Sequence, residues 1–87
     1  MWTIPILYGT TYIIYLREHL LDGGILYFEH EELALRFLKQ IESQIRSLLD
    51  VRLTVAKYEG DRRKDSFCKV TPNNWKVFCD AISQYGR

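Results

Sequence analysis

The apolar residues Leu33, Ala34, Phe37, Leu38, Ile41, Ile45, Leu48 and Leu49 recur at steps of three and four. That spacing makes one face of an amphipathic α-helix over residues 31–49. Glu29, Glu31 and Glu32 stand at its start, where carboxylates complement the positive end of the helix dipole. A helix with a single apolar stripe draws most of its stability from covering that stripe. The segments on both sides alternate in the two-residue period of strands. The pattern therefore demands a helix packed on a sheet, an α+β fold.

Trp2, Ile4, Ile6 and Tyr8 alternate with Thr3, Pro5 and Leu7, and Pro5, which has no N–H for a ladder, predicts an edge strand. Gly9-Thr10 offers a tight turn. Thr11 to Leu16 is rich in β-branched and aromatic residues and reads as a strand, followed by an irregular loop to Gly24. The alternative is a helix over 11–22, capped by Thr10 or Thr11 and closed by Gly23. Leu16 to Leu21 favours that helix, whereas Tyr12-Ile13-Ile14-Tyr15 favours the strand. Ile25 to Phe28 reads as a short buried strand, and Val51, Leu53 and Val55 alternate as another. Gly60 to Asp65 reads as a polar turn, from which Ser66 to Val70 pairs back. Thr71-Pro72 predicts the start of a last helix, 72–84, with threonine as cap and proline in its first position. Trp75, Phe78, Cys79 and Ile82 form its buried stripe, and Gly86 is a stop signal. The expected order is βββαββα: a small antiparallel sheet of about five strands, the long helix packed on it, the short helix at its end or beside it. With 87 residues and neither repeat nor linker, residues 1–87 read as a single domain.

The apolar content of 47% with 26% charged residues is that of a folded chain rather than a disordered one. A net charge of +1 selects neither a nucleic-acid binder nor an enzyme for acidic substrates. Its distribution says more. Residues 1–50 hold four cations and seven anions, and residues 51–87 hold eight cations and four anions, a split that gives either a dipolar surface or two solvated faces of different sign. Met1 to Leu16 is apolar but lacks a basic leader and a small-residue cleavage site, and it is shorter than the ~20 residues a spanning helix needs. It is read as strand material, with no membrane partner. Two cysteines without an export signal predict free thiols in a reducing, cytoplasmic compartment.

Motifs that carry chemistry fail on spacing. Glu29-His30-Glu31-Glu32 resembles half of a zinc motif, but H-E-x-x-H needs a second histidine where this chain has Ala34. Cys68 and Cys79 form no C-x-x-C, and neither has a histidine beside it to activate the thiol. Gly60-Asp61-Arg62-Arg63-Lys64 is not a phosphate loop, and no G-x-S-x-G elbow occurs. The expectation is a non-enzyme without metal, cofactor or catalytic residues.

Two features point to binding. Lys57, Arg62, Arg63, Lys64 and Lys69 belong to a predicted basic hairpin, 57–69, with Tyr58 or Phe67 available for stacking. Glu59, Asp61 and Asp65 are interleaved with those cations and repel a phosphate backbone. The second feature is aromatic. In a strand, Tyr12, Ile14 and Leu16 face one side and Ile13 and Tyr15 the other. One long and one short helix leave part of such a sheet uncovered. Trp2, Tyr8, Tyr12, Tyr15 and Tyr27 are the candidate protein-binding residues, since tyrosine and tryptophan join apolar area to a polar tip. The function expected is a protein-binding module, whether adaptor, inhibitor or self-associating regulator, with another protein or a second copy as partner. The alternative is nucleic-acid binding through the hairpin.

Overall fold

The computed structural model describes the backbone of residues 1–8, 12–48 and 52–84 and the side chains of residues 1–7, 14–43 and 52–84. Its elements are β1 (Trp2–Thr3), β2 (Pro5–Tyr8), β3 (Tyr12–Tyr15), β4 (Ile25–Phe28), α1 (Glu31–Leu48), β5 (Arg52–Leu53), β6 (Ala56–Lys57), β7 (Phe67–Lys69) and α2 (Trp75–Ser83). Counting β1–β2 and β5–β6 as two bent strands gives the order βββαββα, and the class is α+β. The Gly9-Thr10 turn, Leu49, Val51 and the stop at Gly86 lie outside the described residues.

The sheet is two sheets sharing those bent strands. One has the order β6-β1-β4-β7, the other β3-β2-β5. The first strand breaks at Ile4, so that β1 pairs with β4 and β6 while β2 pairs with β3 and β5. This corrects the expectation that Pro5 marks an edge. Pro5 sits in a central strand, but as its first residue, where the break removes the need for an N–H. Its carbonyl still accepts the Thr54 N–H at 3.3 Å.

β3 and β4 leave a common fork. Leu16 donates its N–H to Ile4 and accepts that of Leu26, at 2.9 and 3.0 Å. From there β3 follows β2 and β4 follows β1. The helix considered for 11–22 does not form, because all of Tyr12–Tyr15 pairs with β2. Residues 17–20 close instead into a tight turn in which Leu20 takes φ 68°. That left-handed conformation costs a leucine roughly 1–2 kcal/mol, offset by a side chain only 6% exposed.

An all-antiparallel sheet was expected, and one ladder departs from it. β7 pairs with β4 in parallel, Ile25 opposite Phe67, Leu26 opposite Cys68 and Tyr27 opposite Lys69. Residues 66–70 do not pair back on the preceding strand, since β6 and β7 are the two opposite edges of the four-stranded sheet. Residues 58–66 are therefore a crossover and not a hairpin.

The core lies between the sheets and the helices. Ile4, Ile6, Leu16, Leu26 and Phe28 from the strands meet Ala34, Phe37 and Ile41 from α1, all with no exposed area. Phe28 and Phe37 pack with ring centroids 5.3 Å apart. Cys79 and Ile82 bring α2 into the same cluster, so both helices cover one side. α2 starts three residues later than expected. Asn74 turns its side chain back, accepting the Thr71 N–H at 2.7 Å and donating to the Lys69 carbonyl at 3.1 Å. That ties 71–74 into a turn, and Thr71 supplies its carbonyl to Trp75 rather than a side-chain cap. Among the described residues, no helix is long and apolar enough to cross a membrane.

Candidate functional site

Register settles which residues share the side away from the helices. Thr3 stands opposite Tyr27 and Ala56, Pro5 opposite Tyr15, and Ile25 opposite Phe67. Their neighbours in sequence, Trp2, Ile4, Ile6, Leu26 and Phe28, belong to the helix-side core. No helix covers Thr3 and Ile25, yet neither has exposed area. Aromatic rings cover them. Tyr15 and Tyr58 lie 5.1 Å apart between centroids, Tyr58 and Phe67 5.0 Å in an edge-to-face contact, and Phe67 and Tyr27 6.2 Å, also edge to face. The four rings, each half-buried, form a row across the sheet.

Tyr58 is the centre of that row and the anchor of the crossover. Its hydroxyl donates to Asp65 Oδ2 at 2.6 Å and lies 3.3 Å from the Asp61 carbonyl oxygen. The hydrogen bond to Asp65, with burial and the nearby carboxylates, pushes the phenol up to about 12. Asp65 Oδ1 in turn sits 3.5 Å from Arg17, which also donates to the Gly23 carbonyl at 2.9 Å. Gly60 packs against the Tyr58 hydroxyl, where a Cβ has no room. Asp61 accepts the Arg63 and Lys64 N–H groups at 2.9 and 3.1 Å. The crossover is thus folded around its own tyrosine.

Beside the row opens a groove of about 260 Å³, lined by Pro5, Leu7, Tyr15, Thr54, Ala56, Lys57 and Glu59. Of the candidate protein-binding residues, Tyr15 and Tyr27 stand in the row. Trp2 is on the opposite side, half-buried against the core with the Lys57 ammonium 5.5 Å from its ring centre. The side chains of Tyr8 and Tyr12 lie outside the described residues. Tyr58 and Phe67, named from sequence only as stacking partners for bases, complete the row. The parity of Thr54, Ala56 and Tyr58 was the available signal for the first of them. The Arg17–Asp65 tie links distant residues and had no local signal.

The cations of 57–69 are dispersed. Arg62, Arg63 and Lys64 are exposed in the 62–64 turn, Lys57 faces Trp2, and Lys69 pairs with Glu29 on the far edge. That ion pair holds the Glu29 carboxyl below its ordinary range and the Lys69 ammonium above its own. Glu29 and Lys69 border a groove of about 220 Å³ with His30, Glu32 and Arg36. Among the described residues no three His, Cys, Asp or Glu side chains gather as a metal-binding group.

Both cysteines are free thiols. Burial, then a hydrogen bond to Glu18, pushes Cys68 up to about 11. The same bond and the Gly24 N–H hold Glu18 below the usual carboxylate range. Burial, helped by Asp80, also raises Cys79. Both sulfurs stay protonated at neutral pH, which leaves them poor nucleophiles. No family model matches this chain, and comparison with curated proteins and with solved structures finds no match.

Proposed function

We propose that this chain is a non-enzymatic protein-binding module that holds an extended segment of another protein on the helix-free side of its sheet, as an adaptor, inhibitor or regulator does. The observation that carries this is the row Tyr15–Tyr58–Phe67–Tyr27 running into the open groove at Pro5, Leu7 and Ala56. Rings with polar tips around an apolar slot are the composition of interface anchors. Glu59, which lines the groove, offers a carboxylate to the main chain or side chains of a bound segment.

The test is to identify a captured partner from the native host, purify it, and measure its affinity for the parent and for Thr54→Arg. Thr54 is exposed at the groove, so arginine there fills the slot without disturbing the core. The expected result is a loss of about tenfold or more in affinity with an unchanged melt. If capture survives Thr54→Arg but is lost on nuclease treatment or on reversing the charges of Arg62, Arg63 and Lys64, the domain binds nucleic acid instead.

A further inference from the structure

The sheet ends differ in how they are protected. A terminal strand presents unpaired N–H and C=O groups, and proteins blunt such edges with short strands and with lysine or arginine. β5 has only two residues and carries Arg52, and β6 has two and carries Lys57. β7 carries Lys69, whose carbonyl is further capped by the Asn74 side chain at 3.1 Å. β3 has neither device. It is the outer strand of its sheet, the longest of the terminal strands, and reads Tyr12-Ile13-Ile14-Tyr15 without a charge or a proline.

The direction of its free backbone groups follows from the ladder. The Leu16 N–H bonds to Ile4, on the β2 side. Because backbone groups alternate along a strand, Ile14 also faces β2, and Ile13 and Tyr15 direct their N–H and C=O outward. Beyond Tyr15 the edge is closed, since the Arg17 N–H bonds to Leu20 at 3.0 Å. Among the described residues, nothing pairs with the edge at Ile13 and Tyr15.

We infer that β3 is a self-association edge, and that the occupant is a second copy of this chain pairing its own β3 antiparallel about a twofold axis. With Ile13 opposite Tyr15 of the second copy, and the reverse, every opposed pair is uncharged and β-favouring. The β5–β6 edge carries Arg52 and Lys57, charges of the kind that keep an edge from pairing, so the chain's own charges select β3 over that edge. Pairing joins two three-stranded sheets into one. It names a partner for the regulator role without using the aromatic row, so the two surfaces separate in experiment.

The test is sedimentation of the full chain over a concentration series, with backbone hydrogen exchange at the same concentrations. The expected result is a dimer in the micromolar range and slow exchange at the Ile13 and Tyr15 amides that fades on dilution. Ile13→Lys should weaken the dimer by about tenfold or more. Where that variant fails to fold, N-methylation of the Ile13 amide by semisynthesis removes one outward donor and leaves the β2 ladder intact. A parent that stays monomeric at millimolar concentration overturns the inference, and so does a dimer that survives N-methylation. A dimer broken by Thr54→Arg but not by Ile13→Lys overturns it too, and assigns self-association to the aromatic side. Loss of a foreign partner on Thr54→Arg, with the dimer unaffected, leaves both proposals standing.

Discussion

The two sides of the sheet are built from the same strands but close in opposite ways. On the helix side, Ile4, Ile6, Leu16, Leu26 and Phe28 are matched by the apolar stripe of α1, and no polar atom is needed to finish the contact. On the other side, Thr3 and Ile25 are sealed by rings whose rims stay partly wet, held by Tyr58, Asp65 and Arg17. Aliphatic packing with full burial supplies stability and little else. A ring row pinned by a few polar ties leaves aromatic area at the surface, where a partner can add to it. One side stabilises the molecule, and the other is the side we propose for recognition.

The sharpest way to break that contrast is to truncate both sides. Phe37→Ala and Ile41→Ala should each cost about 2–5 kcal/mol, because both side chains lose full burial and leave cavities. In a domain of this size such a loss is a large share of the total stability. Leu35→Ala, on the same helix but 45% exposed, should shift the melt little. Chemical unfolding of the three variants is the measurement, and equal losses from Phe37 and Leu35 would reject the assigned helix face.

Next in size is the Tyr58 pin. Tyr58→Phe removes the bond to Asp65 and should cost about 1 kcal/mol, and Gly60→Ala should displace the same hydroxyl. The phenol is also an alkaline sensor. Its pKa is raised from 10.0 to about 12 in the fold, so the protonated form is the one the fold prefers. Its contribution is fully present below pH 10 and is lost as pH rises towards about 12. Cys68, raised from 9.0 to about 11, contributes with the same sign, and its part is lost over a lower, overlapping window as pH rises from 9.0 towards about 11. Melts of the parent, Tyr58→Phe and Cys68→Ala across that range separate the two. Tyr58→Phe should flatten the alkaline slope, and a slope that persists in it assigns the effect to the thiol.

These ties also mark where the sequence stops being legible. Residues 33–41 announce α1 because helix periodicity is local, and the parity of 2–8 against 12–16 already separates Ile14 and Leu16 from Tyr15. Pro5 and the 57–69 segment misled for one reason: strand neighbours are set by tertiary pairing. A proline signals an edge only if the strand is unbroken, and two strands joined by a polar turn signal a hairpin only if no better edge exists. Here Phe67–Lys69 finds its place beside β4, where Phe67 lies edge-on to Tyr27 and Tyr58. That gain depends on residues far along the chain, and so does the bond between Arg17 and Asp65. Half of the aromatic row, Tyr15 and Tyr27, was legible. Tyr58 and Phe67 joined it only through the crossover.

Trp2 sharpens the contrast at its smallest scale, because its residue type suggests recognition while its position is on the stabilising side. It pairs in register with Phe28 and packs against the core. Its remaining exposure is shared with Lys57, whose ammonium stands 5.5 Å from the ring centre. A cation over an indole at a partly exposed site is worth about 0.5–1 kcal/mol. Lys57→Met keeps the apolar stem and removes the charge, so it isolates that contribution from packing. The expected outcome is a loss of that size in chemical unfolding, matched by Trp2→Phe only after the additional cost of lost ring area. A double-mutant cycle between the two positions should show coupling of the same size. If the cycle shows no coupling and Trp2→Ala instead abolishes partner binding with an unchanged melt, Trp2 belongs to the recognition surface, and the division of labour between the two sides fails at this residue.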